Sequence, residues 1–397
     1  MKSQYDIVVV GGGPAGLSAA YAAASGGAEV ALFERDKEIG HPVHTSGGSW
    51  ISDLQALGIP SRYWHPISEG HLVGPTERAV FHYENPVSCI LDVRGLYQYL
   101  ACKAGEAGVE TYVDSKVIAP IIEHDIVQGV SLRRGSGTQP VRSRIVIDAS
   151  GINAIIARRA GLAAPPSRMG IGAEYEVYAP HWPQDRIALL FGDHIAPKGY
   201  GWIFPRGAGR VRLGVGVVKP DTPADPRSFL NRFFSDTFVF REQLQDVSQL
   251  EYHVGSIPST PYLRRTYSDG LLVVGDAGGL ISTLLGEGIR FAIDIGRIAG
   301  GVAAEAIAVG NTSSQFLVSF EKAWQKRYKR LFDIAYRANR RLARYDSEKW
   351  DRRIADLRGL DPLVLADLLR GDFSPSALLK LTKRLSIRMS FFTKLIS

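Results

Sequence analysis

An apolar strand that runs straight into three spaced glycines and then into a helix of small residues constrains this chain more than any other feature. The segment is Tyr5-Asp-Ile-Val-Val-Val-Gly11-Gly-Gly13-Pro14-Ala15-Gly16, followed by Leu17-Ser-Ala-Ala-Tyr-Ala-Ala-Ala24. Gly11 permits a tight strand-to-helix turn, Gly13 lets the backbone approach a pyrophosphate, and Gly16 lets the helix close on the strand. The helix amides then face the negative charge. About twenty residues on, Glu34 ends the strand Val30-Ala-Leu-Phe33 and is followed by Arg35. Its carboxylate is placed to accept hydrogen bonds from ribose hydroxyls, so the spacing predicts a bound dinucleotide.

At 397 residues with 45% hydrophobic side chains, the chain can bury two lobes and an appendage. Cys89 and Cys102 lack metal-like spacing and are expected as buried small apolar side chains. A reducing, cytoplasmic setting at or near the inner membrane surface is expected, because no charged-then-apolar leader precedes the first strand. No apolar run is long enough to span a bilayer, and Ile298-Ala-Gly-Gly-Val-Ala-Ala belongs to an interior helix. The net charge of +7 is concentrated after Glu321, in Lys322, Lys326, Arg327, Lys329, Arg330, Arg337, Arg340, Arg341 and Arg344. This run is expected as a solvated helix face, with no nucleic-acid partner.

The cofactor signals are spread along the chain, which narrows the dinucleotide to a flavin. A second set, Ile145-Val-Ile-Asp148-Ala-Ser-Gly151, ends an apolar strand. A third, Leu271-Leu-Val-Val-Gly275-Asp276-Ala-Gly278, leads into Gly286-Glu-Gly288-Ile289-Arg-Phe-Ala-Ile293. Asp276 suits ribityl or ribose hydroxyls, and the amides near Gly286 and Gly288 suit the pyrimidine edge of the flavin. Between these sets, Gly172–Tyr178, Ile187–Phe191, Gly199–Phe204 and Val211–Val217 alternate as antiparallel strands forming the wall of a substrate chamber, with about Gly70 to Ile90 joining the same sheet. The expected division is a cofactor-binding domain over 1–165, a substrate sheet over 166–265, a return of the first domain over 266–310 and a basic helical region over 311–397.

The pattern resembles the flavoprotein monooxygenase superfamily with the para-hydroxybenzoate hydroxylase fold, and within it the geranylgeranyl reductase family. The resemblance implies an α/β chain, α+β overall: a Rossmann-type FAD-binding domain interleaved with a smaller antiparallel-sheet substrate domain, plus a helical C-terminal region. It also implies non-covalent FAD and makes Arg94, in Leu91-Asp-Val-Arg-Gly-Leu, similar to the helix-borne arginine near the cofactor. Tyr200-Gly-Trp202-Ile-Phe204-Pro205 resembles the segment that lines an isoprenoid channel in geranylgeranyl reductases, and Gly286-Glu-Gly-Ile resembles their form of the late motif. The match fails elsewhere. Where archaeal members continue with Pro-Val-Arg-Cys, this chain reads His41-Pro-Val-His44-Thr45-Ser46, so the cysteine is missing. Thr283 and Gly278 replace a proline and an alanine of the family pattern.

The implied reaction is saturation of polyprenyl carbon–carbon double bonds by reduced flavin, with NADPH or another donor supplying the electrons. An isolated trisubstituted alkene accepts hydride poorly, so a proton must reach its other carbon. A dry channel protects the cationic character that results, and the faces of Tyr200, Trp202 and Phe204 stabilise it by about 1 to 2 kcal/mol. His44 is the proton-donor candidate. Oxygen-dependent hydroxylation of an aromatic or terpenoid is the alternative on the same scaffold. Halogenation is disfavoured because no lysine lies between Lys37 and Lys103. A non-enzymatic alternative is a lipid carrier attached to a membrane through the tail, where Leu378, Leu381, Leu385, Met389, Phe392 and Ile396 alternate with Lys380, Lys383, Arg384 and Arg388.

Overall fold

A computed structural model describes residues 1–235 and 238–373. The proposed amphipathic tail from Leu378 to Ile396 lies outside the described residues. Five parallel strands form the core of the first sheet, in the order Leu271–Val273, Gly137–Asp148, Gln4–Val10, Val30–Phe33 and Glu110–Tyr112. These strands are almost uniformly apolar because both faces are covered, one by the helices Pro14–Ser25, Val93–Glu106 and Ile289–Val309 and the other by the strands Lys116–Glu123 and Ile126–Arg134 with the short helix Ile155–Arg159. Lys116–Glu123 and Ile126–Arg134 extend it as an antiparallel flap on the long strand Gly137–Asp148.

The helix Pro14–Ser25 packs along the much later helix Ile289–Val309, and glycines set the spacing. A Cβ built at Gly296 would lie 2.4 Å from the carbonyl oxygen of Ala15, and one at Gly300 would lie 2.1 Å from that of Ala19. Backbone therefore meets backbone, which fixes the returning segment beside the N-terminal turn. The following helix, Ser314–Leu342, buries Leu317, Phe320, Trp324 and Phe332 against the same core. Its basic residues Lys322, Lys326, Lys329, Arg330 and Arg337 lie on the exposed face.

The second sheet has seven strands in the order Ser248–Pro258, Met169–Tyr178, Arg210–Lys219, Tyr200–Gly207, Arg186–Leu190, Glu69–Val73 and Arg78–His82. Only the contact between Arg186–Leu190 and Glu69–Val73 is parallel. Ser88–Leu91 does not join it and pairs instead with Gly48–Trp50 and Trp64–Ile67 in a three-stranded sheet. Cys89 is buried, but Cys102 is exposed on the outer face of the helix Val93–Glu106, contrary to its expected burial. Nothing in the local sequence around Cys102 marks that face as the solvent side except Lys103 beside it. No helix among the described residues is long and apolar enough to cross a membrane.

The glycine contacts make a paired prediction. Gly300→Ala should destabilise the fold by about 1 to 3 kcal/mol through overpacking against the first helix. Gly301→Ala, whose Cβ would meet nothing within 4 Å, should be neutral or stabilise by up to about 1 kcal/mol through helix propensity. Urea unfolding of both variants checks this, and equal effects would mean that the two helices do not touch at Gly300.

Candidate active site

The three separated cofactor signals converge at the carboxyl ends of the parallel strands. A Cβ at Gly11 would lie 2.3 Å from the carbonyl oxygen of Ala149, one at Gly16 would lie 2.0 Å from that of Gly11, and one at Gly275 would touch the Ala15 side chain at 3.0 Å. Gly13 is different: a Cβ there would meet nothing within 4 Å. An open backbone face between crowded neighbours is the shape a pyrophosphate needs. Pro14 occupies the first turn of the helix, where its missing N–H costs no hydrogen bond. Glu34 follows the second strand, and its carboxylate accepts from the amides of Gly12 (2.6 Å) and Asp36 (2.9 Å).

Asp276 has no hydrogen-bond partner for its carboxylate among the described residues, and burial pushes that group up to about 6. A ligand bearing hydroxyl donors would relieve this, so the residues present fit the ribityl or ribose part of FAD. Gly286 has a φ of +67°, and Gly288 caps the helix Ile289–Val309, whose first residue Ile289 is buried. Gly151 has a φ of +67° and opens a short turn of 3-10 helix. Arg35 and Arg94 are exposed and pair with Asp36 (3.7 Å) and Glu38 (2.6 Å).

Asp148 requires a correction. Its side chain is fully buried, and the carboxylate accepts from the Ser150 hydroxyl (2.6 Å) and from the amides of Ser150 (3.0 Å), Ile156 (3.0 Å) and Ala157 (2.8 Å). Those donors saturate it. Asp148 thus holds the Ala149–Ala154 loop in shape and is not a ligand contact.

Beside this cradle lies a cavity of about 250 Å³, and a smaller one of about 110 Å³ adjoins it, the two sharing Thr45, Ser46, Tyr200 and Gly286 in their walls. The smaller cavity runs between Thr45–Trp50 and Leu285–Ile289. Its Glu287 is held by Arg290 (2.6 Å) and Trp50 (3.3 Å), and burial pushes the carboxyl up despite the nearby guanidinium.

The larger cavity is walled by the second sheet. Tyr200, Trp202 and Phe204 share one face, with ring centroids 5.8 Å and 6.3 Å apart, as strand alternation requires. Tyr200 and Trp202 line the larger cavity, whereas Phe204 lines the smaller. The Tyr200 hydroxyl donates to the Leu285 carbonyl (2.5 Å), tying the sheet to the returning cofactor segment. Trp202 lies flat because glycines lie beneath it: a Cβ at Gly214 would be 2.1 Å from the indole, at Gly216 3.2 Å and at Gly172 3.3 Å. Its indole N–H reaches Glu174 (2.9 Å).

His44 lines the cavity from its solvent side, exposed, and its Nδ1 donates to the Val254 carbonyl (2.9 Å). Two groups of residues that line or adjoin the chamber have no counterpart among the sequence expectations. The first is a polar row of Glu174, Glu176, Arg212, Glu251 and His253 on the chamber face of the sheet. Its signal was alternation at positions 174 and 176 within an otherwise apolar strand. Arg212, 1% exposed, donates to Glu176 (3.0 Å) and to the Ser46 carbonyl (2.7 Å), which anchors the loop between the two cavities. The second is the roof, made by Leu342, Trp350, Ile354, Leu357, Leu365 and Leu368 of the last three described helices. Their spacing of three or four residues is legible, but nothing in it identifies the cavity they cover.

Residues 6–178 match the family described as FAD dependent oxidoreductase, and residues 169–256 match the geranylgeranyl reductase catalytic domain. A digeranylgeranylglycerophospholipid reductase of Methanothermobacter thermautotrophicus is 35% identical, covering 90% of this chain and 93% of its own. One of Methanopyrus kandleri is 34% identical over 93% of each. Among solved structures, a geranylgeranyl bacteriochlorophyll reductase-like protein of Thermoplasma acidophilum superposes with a TM-score of 0.87 at 26% identity, covering 99% of this chain and 100% of that one. A flavin-dependent brominase with a TM-score of 0.71 and 17% identity, covering 96% of this chain and 98% of its own, shares the fold.

Two measurements test this geometry. In flavin-free protein, Asp276 holds its proton more tightly folded (about 6) than the ordinary 3.8, so that contribution is complete below about 3.8 and lost as pH rises through about 6. Asp276→Asn should therefore match wild-type stability near pH 4 and exceed it by about 2 kcal/mol near pH 7. A difference that does not change with pH would mean the carboxylate is not enclosed. Gly214→Ala should destabilise by about 1 to 3 kcal/mol in urea unfolding, because the added methyl displaces the Trp202 indole. No loss would mean the ring does not lie on that glycine.

Proposed function

This chain belongs to the geranylgeranyl reductase family of FAD-dependent oxidoreductases, and we propose that it saturates the carbon–carbon double bonds of geranylgeranyl chains carried on a glycerophospholipid. The observation that carries the reading is the apolar chamber beside the cofactor cradle, walled by Tyr200 and Trp202 and roofed by Leu357, Leu365 and Leu368. A cavity lined in this way suits a long hydrocarbon and offers few donors to a compact polar substrate. The relatives named as digeranylgeranylglycerophospholipid reductases support the same substrate class.

In this reading the Gly11–Gly16 turn with Pro14 and Ala15 holds the pyrophosphate of FAD. Glu34 and Arg35 lie at the adenosine end, and Asp276 accepts from hydroxyls. Gly275 and Gly151 keep the approach free of side chains. Gly286, Gly288 and Ile289 border the flavin edge, and Arg94 is the helix-borne arginine that the family resemblance sets near the cofactor. Bound FAD, once reduced by NADPH or a small redox protein, supplies hydride. The protein's own part is to exclude water, to align the alkene along the aromatic wall and to deliver a proton. Trp202 and Tyr200 present ring faces to the cationic character that develops, worth about 1 to 2 kcal/mol in a water-free site. The lining includes the exposed His44 and the half-buried Lys198, polar groups suited to a lipid head that stays outside while its chain enters.

Anaerobic mixing of dithionite-reduced, FAD-loaded protein with a geranylgeranyl glycerophospholipid should reoxidise the flavin and yield lipid heavier by two hydrogens per bond reduced. Trp202→Ala should slow that reoxidation by about 10- to 100-fold, the kinetic equivalent of about 1 to 3 kcal/mol. Reoxidation that requires oxygen and adds an oxygen atom to the product would instead assign the chain to hydroxylation.

A further inference from the structure

The loop position that carries cysteine in related reductases offers no cysteine here, yet the chamber is reached by another chain of acids and bases. Three polar residues occupy neighbouring positions on the two strands at one edge of the second sheet. Glu174 and His253 are direct cross-strand partners, and the row continues through Gly214, Trp202 and Leu189. Glu174 and His253 are buried (3% and 5% exposed) and both line the chamber. Glu251 stands two residues before His253, with its side chain 42% exposed. His253 Nδ1 is 2.9 Å from Glu174 Oε1, and its Nε2 is 3.0 Å from Glu251 Oε2. The other Glu174 oxygen accepts from the Trp202 indole.

Proton counting makes this arrangement informative. A neutral imidazole has one N–H, and an ionised carboxylate has none to give. Two ring nitrogens each facing a carboxylate therefore hold one proton more than a neutral histidine between two ionised glutamates would. Either the ring is an imidazolium or one carboxyl is protonated. The surrounding charges favour that extra proton. Arg212 Nε lies 3.9 Å from Glu174, Arg210 lies 2.9 Å from Glu251, and Arg206 and Arg212 bind Glu176, with Arg206 also bound to Asp92 (2.9 Å). Four carboxylates face three guanidiniums, so one imidazolium completes neutrality. Burial lowers the proton affinity of His253, but the hydrogen bonds it donates to its two glutamates more than offset this and raise it overall.

We propose that Glu251, His253 and Glu174 form a relay that carries one solvent proton into the chamber for each double bond reduced, with Glu174 as the group that faces substrate. The proposal rests on the reductase reading above. For each bond saturated, hydride from reduced flavin forms one C–H bond with its own electron pair, and the alkene π pair forms the second C–H bond with a proton. The flavin is left oxidised. That proton leaves the His253 imidazolium and passes by way of the Glu174 carboxylate to the alkene carbon, and His253 is recharged from water through Glu251. Trp202, which donates to Glu174, then has two duties: its ring faces the substrate and its N–H orients the carboxylate. The role expected of His44 passes to a group shielded from solvent.

The test uses the full-length, FAD-loaded protein, reduced anaerobically and mixed with a geranylgeranyl glycerophospholipid in light and in heavy water. His253→Gln should slow flavin reoxidation by about 100-fold, and Glu251→Gln, at the exposed end, by about tenfold. Both should enlarge the solvent isotope effect and shift the pH profile, with unchanged flavin content and lipid binding. Added imidazole should restore part of the His253→Gln rate. If His253→Gln fails to fold, Glu251→Gln carries the kinetic test. Nitrogen NMR of the resting protein gives a readout independent of turnover: both His253 nitrogens should be protonated near neutral pH and one should lose its proton in Glu174→Gln. Variants within about threefold of wild type, with an unaltered isotope effect, would overturn the relay alone. A wild-type protein that the lipid does not reoxidise would overturn the substrate reading, and the relay with it.

Discussion

Backbone from distant parts of a chain can meet only where no Cβ intervenes, and both halves of this site are built on that constraint. At Gly296 and Gly300 an added Cβ would fall within 2.4 Å of a carbonyl oxygen of the first helix. Those contacts bring the first helix and the helix Ile289–Val309 together and so place Gly275, Asp276 and Gly286 beside the N-terminal turn. The chamber uses the same device on a sheet. Gly172, Gly214 and Gly216 leave a bare patch on which the Trp202 indole lies flat. With side chains at those positions the ring would stand away from the sheet, and its N–H would no longer reach Glu174.

The two halves are joined by polar ties. Arg212 reaches from the sheet to the Ser46 carbonyl, and Tyr200 reaches to the Leu285 carbonyl. Each tie ends on residues that both cavities share, Ser46 for the first and Tyr200 and Leu285 for the second, so the cofactor cradle and the apolar chamber are held in one geometry. A buried guanidinium such as Arg212 is costly unless it is paired and hydrogen-bonded. Here it is matched by Glu176 and two backbone carbonyls, which makes it a positioning group for the loop. The helical roof closes the remaining side with aliphatic residues, the lining an unbranched or methyl-branched hydrocarbon requires.

Much of this was legible in the residues because it depends on local rules. The glycine turn, the parallel core strands and the alternating aromatic strip follow from conformational freedom and from the period of two along a strand. What was not legible depends on tertiary partners. Asp148 reads as a ligand contact until the helix Ile155–Arg159 supplies amides that saturate it. Glu174 and His253 are 79 positions apart, and only the sheet register makes them neighbours. The roof residues carry helical spacing, but their partner is a cavity wall more than a hundred residues earlier, which periodicity cannot identify.

The most direct measurement of the central claim is a crystal structure with FAD and a geranylgeranyl glycerophospholipid bound to the oxidised protein. The account predicts the flavin between Thr45–Trp50 and Leu285–Ile289, with isoprenoid density running over Tyr200 and Trp202 beneath the helical roof and its nearest double bond beside Glu174. A flavin bound elsewhere, or a chamber that stays empty while the lipid chain lies on another surface, would contradict it.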